Sequence, residues 1–221
     1  YRPEEFEALG VKFEQRVSRF EEAIPLIRRL WNEESVTHHG QHFNVSGLGA
    51  SIKPKRAGGP PIWVGGDVIA AVQRAAKLNC PWIAPPTMTF HEIAERVEVY
   101  RKASAEISGN LVKEQPIIRE VAIGSTKAEA LRAARPALLS KYEAYASWGQ
   151  TATKGQVSLS DTFDEFIKDR FIIGDESEVA DEVARYKDSF GEGEFLVRIQ
   201  WPGFAQSNVL ESIDRLGKII T

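Results

Sequence analysis

The sequence predicts an α/β fold in which short apolar strands alternate with amphipathic helices. From Ile62 to the C-terminal end, four segments rich in apolar or β-branched residues are each followed by a segment with helical periodicity. Parallel strands joined by helices are the arrangement that this alternation produces. With 221 residues, 43% of them hydrophobic, the chain has enough apolar material for a full core.

The composition excludes several classes of protein. Lysine and arginine number 28 against 31 acidic residues, so the net charge of −3 gives no electrostatic reason to expect nucleic acid or an anionic membrane as a partner. Cys80 is the only cysteine, which rules out an intrachain disulfide and a metal site built from several thiolates. No apolar run approaches the ~20 residues of a membrane span, and the first residues are too polar for a signal peptide. We therefore expect a cytoplasmic protein.

The first 60 residues predict a helix followed by a β-hairpin. Apolar residues recur at steps of three and four over residues 12–31, and Pro25 within this pattern predicts a kink or a break. Two short runs, residues 36–38 and 42–45, are separated by a turn around Gly40 and favour a hairpin. The three histidines of this segment straddle its turn and do not share one helix face, so we expect no metal site.

The remainder of the chain predicts part of a barrel. Strands are predicted over residues 62–64, 81–84, 117–123 and 195–201. Helices are predicted to begin where a Thr or Asp stands three residues before a Glu, the spacing of a capping box, at Thr89, Thr126 and Asp175. Four strand–helix units are half of the eight in a (β/α)8 barrel. We therefore expect the second half of such a barrel, strands five to eight with their helices, which does not close on its own.

Five segments of the chain resemble, in the same order, segments of the bacterial luciferase-like, flavin-dependent monooxygenases. They are YRPEEFEALG at 1–10, PPIWVGG at 60–66, KYEAYASWGQ at 141–150, RFIIGD at 170–175 and RIQWPG at 198–203. Each segment alone is weakly specific, but together they cover essentially the whole chain. The resemblance implies one TIM-barrel domain over residues 1–221 from which the N-terminal half, with the family's first four strands, is missing.

The resemblance also implies an activity. It indicates a monooxygenase that uses reduced FMN, supplied by a flavin reductase, and O2 on a small organic substrate. A deazaflavin-dependent hydride transferase and a non-catalytic flavin-binding protein or degenerate barrel subunit are the alternatives. The family is commonly dimeric, and the closely spaced Phe163, Phe166 and Phe171 support the same expectation of a homo-oligomer. Catalytic residues are not assigned.

The turn formed by Val64, Gly65, Gly66, Asp67 and Val68 is the candidate cofactor site. Glycines after a parallel strand allow a close approach of the backbone, and the next helix offers free N–H groups to a phosphate. The resemblance implies that the coenzyme phosphate binds here. Relatives usually carry a serine in the two positions after the glycine pair, which are Asp67 and Val68 in this chain. Asp67 departs from that pattern, because a carboxylate repels phosphate. In the alternative interpretation the turn is structural and Asp67 caps the helix.

Four further residues are candidates for the wall of a substrate pocket: Trp148, Arg198, Gln200 and Trp201. Strand alternation predicts that Arg198 and Gln200 share one face and that Trp201 lies on the other. Arg198 either contacts flavin or substrate, or forms an interior ion pair with Glu120. Trp201 either forms one wall of the binding site of a flat coenzyme or packs against the core at the end of the strand. Trp148 precedes a polar loop, residues 150–160, which is either a lid or a surface loop without a role.

Overall fold

The computed structural model describes residues 2–108, 115–150, 159–191 and 193–220. The chain divides into two compact units, Tyr1–Ile62 and Trp63–Thr221. Each unit has its own secondary structure and its own buried residues. A single barrel domain over residues 1–221 stays a prediction.

The first unit consists of helices followed by a hairpin. Its elements are α1 (Pro3–Ala8), a 3-10 turn (Phe13–Gln15), α2 (Arg16–Asn32), β1 (Val36–His39) and β2 (Asn44–Leu48). The two strands pair antiparallel, which confirms the predicted hairpin. A break at Pro25 is not found, because α2 continues through this residue. The loss of one backbone N–H does not end a helix whose flanking turns keep their hydrogen bonds.

Glu22 on α2 attaches the hairpin to that helix. Its Oε1 lies 2.9 Å from His38 Nε2 and accepts a hydrogen bond from the Phe43 N–H at 3.0 Å, while Oε2 accepts one from the His42 N–H at 2.9 Å. Burial acts to raise the pKa of Glu22, but these donors together outweigh it and the pKa is lowered. His42 Nε2 also lies 2.7 Å from Ser18 Oγ. These two histidines therefore hold the hairpin in place.

The second unit alternates strands and helices. Its strands are β3 (Val64–Gly65), β4 (Trp82–Ile83), β5 (Ile117–Ile123), β6 (Ile172–Gly174) and β7 (Phe195–Arg198). Its helices are α3 (Ile69–Lys77), α4 (Phe90–Ser108), α5 (Lys127–Ser147), α6 (Leu159–Ile167), α7 (Glu176–Phe190) and α8 (Gln206–Ile220). The pairs β3–β4, β5–β6 and β5–β7 are parallel, which confirms the α/β class. None of the described helices has the combination of length and apolarity that crossing a membrane requires.

Strand β5 lies between two partners. Its first four residues pair with β7 and its last three pair with β6. A single parallel bridge joins Ala84, just after β4, to Ile117 at the start of β5. The strands of this unit therefore follow one direction, with their carboxyl ends on the same side.

Two predicted strands and the strand count differ from the structure. The strand predicted over 195–201 ends at Arg198, where its pairing with β5 ends, and the one predicted over 62–64 is paired only at Val64 and Gly65. Strand β6 was not predicted; its three residues pair with the last three of β5. The described residues form sheets of two, two and three strands, without a closed barrel. That they are strands five to eight of a barrel stays a prediction.

The phenylalanines expected at an interface between copies lie inside the second unit. Phe163, Phe166 and Phe171 are buried in a cluster with residues of α5 and with Trp201. Their apolar surface is used in the core of the unit, so it does not support an interface. The homo-oligomer stays a prediction that rests on the resemblance to the family and not on these phenylalanines.

The predicted helix starts are confirmed. The Thr89 and Thr126 hydroxyls each accept a hydrogen bond from the N–H three residues on, at 3.2 Å. At α7 the capping box is complete, because Asp175 Oδ1 accepts from the Glu178 N–H at 3.0 Å and Glu178 Oε2 accepts from the Asp175 N–H at 3.1 Å. Reciprocal capping satisfies two N–H groups that a helix end leaves open.

Asp175→Ala removes this cap and should lower the free energy of unfolding by about 1 kcal/mol, the usual value of a side-chain cap. Asp181→Ala is the matched control, since Asp181 is exposed in the interior of the same helix. Urea unfolding of both variants measures the difference. Equal stability of the two variants would show that the capping box contributes nothing.

Candidate functional site

The turn from β3 to α3 lies at the carboxyl end of a parallel strand, where α/β proteins bind ligands. Val64 is buried, and Gly65 leads to Gly66, whose φ of +147° is one that residues with a side chain rarely adopt. A Cβ at Gly66 would lie 2.5 Å from the Cβ of Ala71. The Gly66 carbonyl accepts a hydrogen bond from Trp82 Nε1 at 2.8 Å. A buried indole on β4 therefore fixes the turn.

The first turn of α3 has no side-chain cap. The N-cap residue is Val68, so the interpretation of Asp67 as the cap was wrong. The Val68 carbonyl accepts a hydrogen bond from the Ala71 N–H at 2.9 Å. No side chain in the described ranges caps this helix, so the N–H groups of Ile69 and Ala70 are available to an anionic ligand.

Arg96 on α4 places a positive charge beside the turn. Its Nε donates to the Asp67 carbonyl oxygen at 3.1 Å, and its Nη1 lies 3.5 Å from a carboxylate oxygen of Glu95. Glu95 therefore compensates part of this charge. Arg96 was not among the residues predicted from the sequence, although its position three residues after the buried Ile93 and one before the buried Val97 places it near the buried side of α4.

The second candidate site is a fully buried carboxylate, Glu120 on β5. Its Oε1 lies 2.5 Å from Lys141 Nζ, 2.7 Å from the Tyr142 hydroxyl and 3.3 Å from Arg198 Nε. Its Oε2 accepts a hydrogen bond from Trp201 Nε1 at 2.5 Å. Helix α5, the end of β7 and the segment after β7 therefore meet at one side chain.

Strand register explains why Glu120 and Arg198 meet. The two residues are direct partners in the parallel β5–β7 ladder, so their side chains lie on the same face. This confirms the ion pair that was one interpretation of Arg198. The prediction that Trp201 lies opposite Arg198 was wrong, because β7 ends at Arg198 and the alternation does not extend to Trp201.

The other two pocket-wall candidates, Trp148 and Gln200, are exposed and do not contact Glu120 among the described contacts. Trp148, 39% exposed at the end of α5, packs on Tyr145 with ring centroids 5.6 Å apart, and Tyr145 packs on Tyr142 at 5.5 Å. Gln200 is exposed, and its Nε2 donates a hydrogen bond to the Trp201 carbonyl oxygen at 3.4 Å. Residues 151–158 of the predicted lid lie outside the described residues. The pocket-wall roles stay predictions.

Burial and the Glu120 carboxylate set the protonation of the α5 donors. Burial lowers the pKa of Lys141, and attraction to Glu120 opposes this only in part. Burial and the carboxylate both raise the pKa of Tyr142. Tyr142 therefore keeps the proton that it donates to Glu120 at pH values well above those at which a tyrosine usually ionises.

Arg119, the neighbour of Glu120 in β5, is buried on the opposite face. Its Nε donates to the Tyr186 hydroxyl at 2.9 Å and its Nη1 donates to the Pro85 carbonyl at 3.0 Å. Within the described ranges its Nη2 has no hydrogen-bond partner. Burial lowers the pKa of Arg119. Arg119 was not predicted from the sequence, because its partner on α7 is 67 positions away.

The second unit is thus an α/β fold of parallel strands and connecting helices, with the Gly65–Gly66 turn at the carboxyl end of β3 and Arg198 at the carboxyl end of β7. Residues 1–193 match the family model of the luciferase-like monooxygenases. The chain belongs to this family, which confirms the resemblance seen in the sequence.

Solved structures share the fold at low sequence identity. Monooxygenase RslO1 from Streptomyces bottropensis superposes with a TM-score of 0.81 at 18% identity, over 99% of this chain and 64% of its own. The FMN complex of the oxygenating constituent of 3,6-diketocamphane monooxygenase from Pseudomonas putida gives 0.73 at 14% identity, over 99% and 67%. An F420-dependent secondary alcohol dehydrogenase in complex with an F420–acetone adduct gives 0.65 at 15% identity, over 85% and 57%.

Curated relatives match shorter segments. An uncharacterized protein of Mycobacterium bovis is 33% identical over 77 residues, which are 35% of this chain and 26% of that protein. The phthiodiolone/phenolphthiodiolone dimycocerosates ketoreductase of Mycobacterium kansasii is 26% identical over 102 residues, which are 45% of this chain and 28% of that protein. The match therefore spans about a quarter of the length of these relatives.

The raised pKa of Tyr142 predicts a loss of stability at alkaline pH. The unfolded tyrosine ionises near its ordinary value of 10.0, whereas the folded one keeps its proton. The contribution of Tyr142 to the free energy of unfolding is therefore fully present below about pH 10. Above this pH the free energy of unfolding falls by up to about 1.4 kcal/mol per pH unit. Tyr142→Phe should reduce this slope, as measured by urea unfolding from about pH 9 to about pH 11. Equal slopes in the two proteins would contradict the prediction.

Proposed function

We propose that this chain functions in a flavin-dependent monooxygenase that uses reduced FMN and O2 on a small organic substrate. The observation that carries the proposal is the β3–α3 turn, where an uncapped helix start and Arg96 lie together at the carboxyl end of a parallel strand. Membership of the luciferase-like monooxygenase family supports the same activity. Bound FMN would supply the two electrons that reduce O2, with one oxygen atom going to the substrate and the other to water.

The residues of the turn fit a phosphate group. Gly65 has no steric or dihedral need to be glycine, because a Cβ there would only make an ordinary contact of 3.6 Å with Ile83. Its missing side chain leaves the backbone open to a ligand. In this proposal Val64, Gly65, Gly66, Asp67 and Val68 hold the phosphate, with the free N–H groups of α3 as donors.

The proposal also covers the remaining parts of the site. Trp148 and Gln200, which are exposed, would border the substrate, while the buried Trp201 holds Glu120 in place. Strands β3, β4, β5 and β7 would be strands five to eight of a TIM barrel. The protein would form a homo-oligomer and receive reduced FMN from a flavin reductase.

Deazaflavin-dependent hydride transfer is the second candidate function, favoured by the structural likeness to the F420-dependent alcohol dehydrogenase. Anaerobic titration with reduced FMN and with reduced deazaflavin, each followed by air, separates the candidates. Tight binding of FMN and oxygen uptake coupled to a product would support the monooxygenase. Binding of deazaflavin alone would support hydride transfer, and bound flavin without turnover would support a non-catalytic protein.

Arg96→Gln should weaken the binding of FMN by about tenfold, the usual effect of removing a charged hydrogen bond. Riboflavin, which lacks the phosphate, should bind the variant and the wild type equally. Lys102→Gln removes one positive charge from an exposed position of the same helix and is the matched control. Flavin fluorescence titrations at fixed ionic strength measure all three. An equal loss of riboflavin binding would place the phosphate elsewhere.

Asp67→Ser should tighten the binding of FMN by about 1 kcal/mol, because it removes a negative charge near the start of a helix. Gly65→Ala is the companion variant: the fold has room for this methyl group, so it should weaken FMN binding without loss of stability. Gly66→Val does not serve, since its Cβ would collide with Ala71 before any ligand is bound. Weaker binding by Asp67→Ser would show that Asp67 stabilises the turn.

A further inference from the structure

The Glu120 site carries more positive than negative charge. Lys141 and Arg198 both form ion pairs with Glu120, and within the described ranges no other carboxylate pairs with either of them. Lys141 takes the closer position, with Nζ 2.5 Å from Oε1, while Arg198 Nε stands at 3.3 Å and makes no hydrogen bond. One cation in a half-buried position is therefore incompletely compensated, which is unfavourable unless an anion joins it.

Arg198 is the cation that a ligand can reach. It is the last residue of β7, at the carboxyl end of the sheet, and its side chain is 32% exposed, against 7% for Lys141. Its Nε is buried without a hydrogen-bond partner, and no hydrogen bond joins its two terminal nitrogens to a described residue. The ion pair with Glu120 fixes the orientation of the guanidinium group. A planar fork with two free donors matches a carboxylate or a sulfonate.

We infer that Arg198 binds an anionic group of the substrate, a carboxylate or a sulfonate, with Glu120 and Lys141 as the residues that position it. The role of this anion as a substrate rests on the proposed monooxygenase function. The coenzyme phosphate has its own donors at the β3–α3 turn, so Arg198 is left for the other ligand. The substrate class is thus a small organic acid, with the reacting carbon separate from the anionic group.

The test uses the whole chain and three probes of similar size: butanoate, butane-1-sulfonate and the neutral butyramide. Calorimetric titration at fixed ionic strength gives their dissociation constants without flavin. We expect the two anions to bind and butyramide to bind at least about tenfold more weakly. Arg198→Gln should weaken anion binding by about tenfold or more, and Arg198→Lys, which keeps the charge but loses the fork, should lie between. Lys102→Gln, the exposed control, should bind the anions like the wild type.

A second titration with FMN separates this inference from the proposed function. Arg198→Gln should bind FMN as the wild type does. Loss of FMN binding together with anion binding, in a variant with an unchanged circular dichroism spectrum, would assign Arg198 to the coenzyme and overturn the inference. Equal binding of butanoate and butyramide, or unchanged anion binding by Arg198→Gln, would also overturn it. Anion binding that depends on Arg198 in a protein that binds no flavin would leave the anion site standing and reject the monooxygenase.

Discussion

The Glu120 carboxylate is the constraint on which the arrangement of the second unit depends. A carboxylate with no exposed surface is tolerated only where donors replace the water that it has lost. Lys141 and Tyr142 on α5 and Trp201 after β7 donate hydrogen bonds to it, and Arg198 at the end of β7 adds a positive charge. Displacing any of these elements would leave a buried charge with too few partners. One side chain thus fixes the position of three segments that are far apart in sequence.

The two candidate sites attract anions by different physical means. At the β3–α3 turn the donors are backbone N–H groups at a helix start, and these are present whatever the side chains are. At Glu120 the attraction comes from side chains whose charges depend on one another, since the carboxylate holds both cations. The first kind of site tolerates many substitutions around it. The second depends on each of its members, because a change in one alters the charge balance of the rest.

The parts of the structure that depend on local sequence were predictable. Capping boxes, helical periodicity and the hairpin involve residues a few positions apart, and the structure has them where the patterns indicated. The contacts that form the sites were not predictable, because they join distant positions. Arg96 reaches the carbonyl of Asp67 across 29 positions, and Trp201 reaches Glu120 across 81. Strand β6 was missed for a related reason: its three residues are a strand only because β5 lies beside them.

The hydrogen bond from Trp82 to the carbonyl of Gly66 has a consequence for ligand affinity at the turn. Trp82 is completely buried on the neighbouring strand, so the loop conformation is set by the core before any ligand arrives. A ligand that meets an ordered loop loses little binding free energy to fixing that loop. The conformational entropy of the site is therefore controlled from a position that is closed to solvent. Affinity at this surface turn depends on how well the interior behind it is packed.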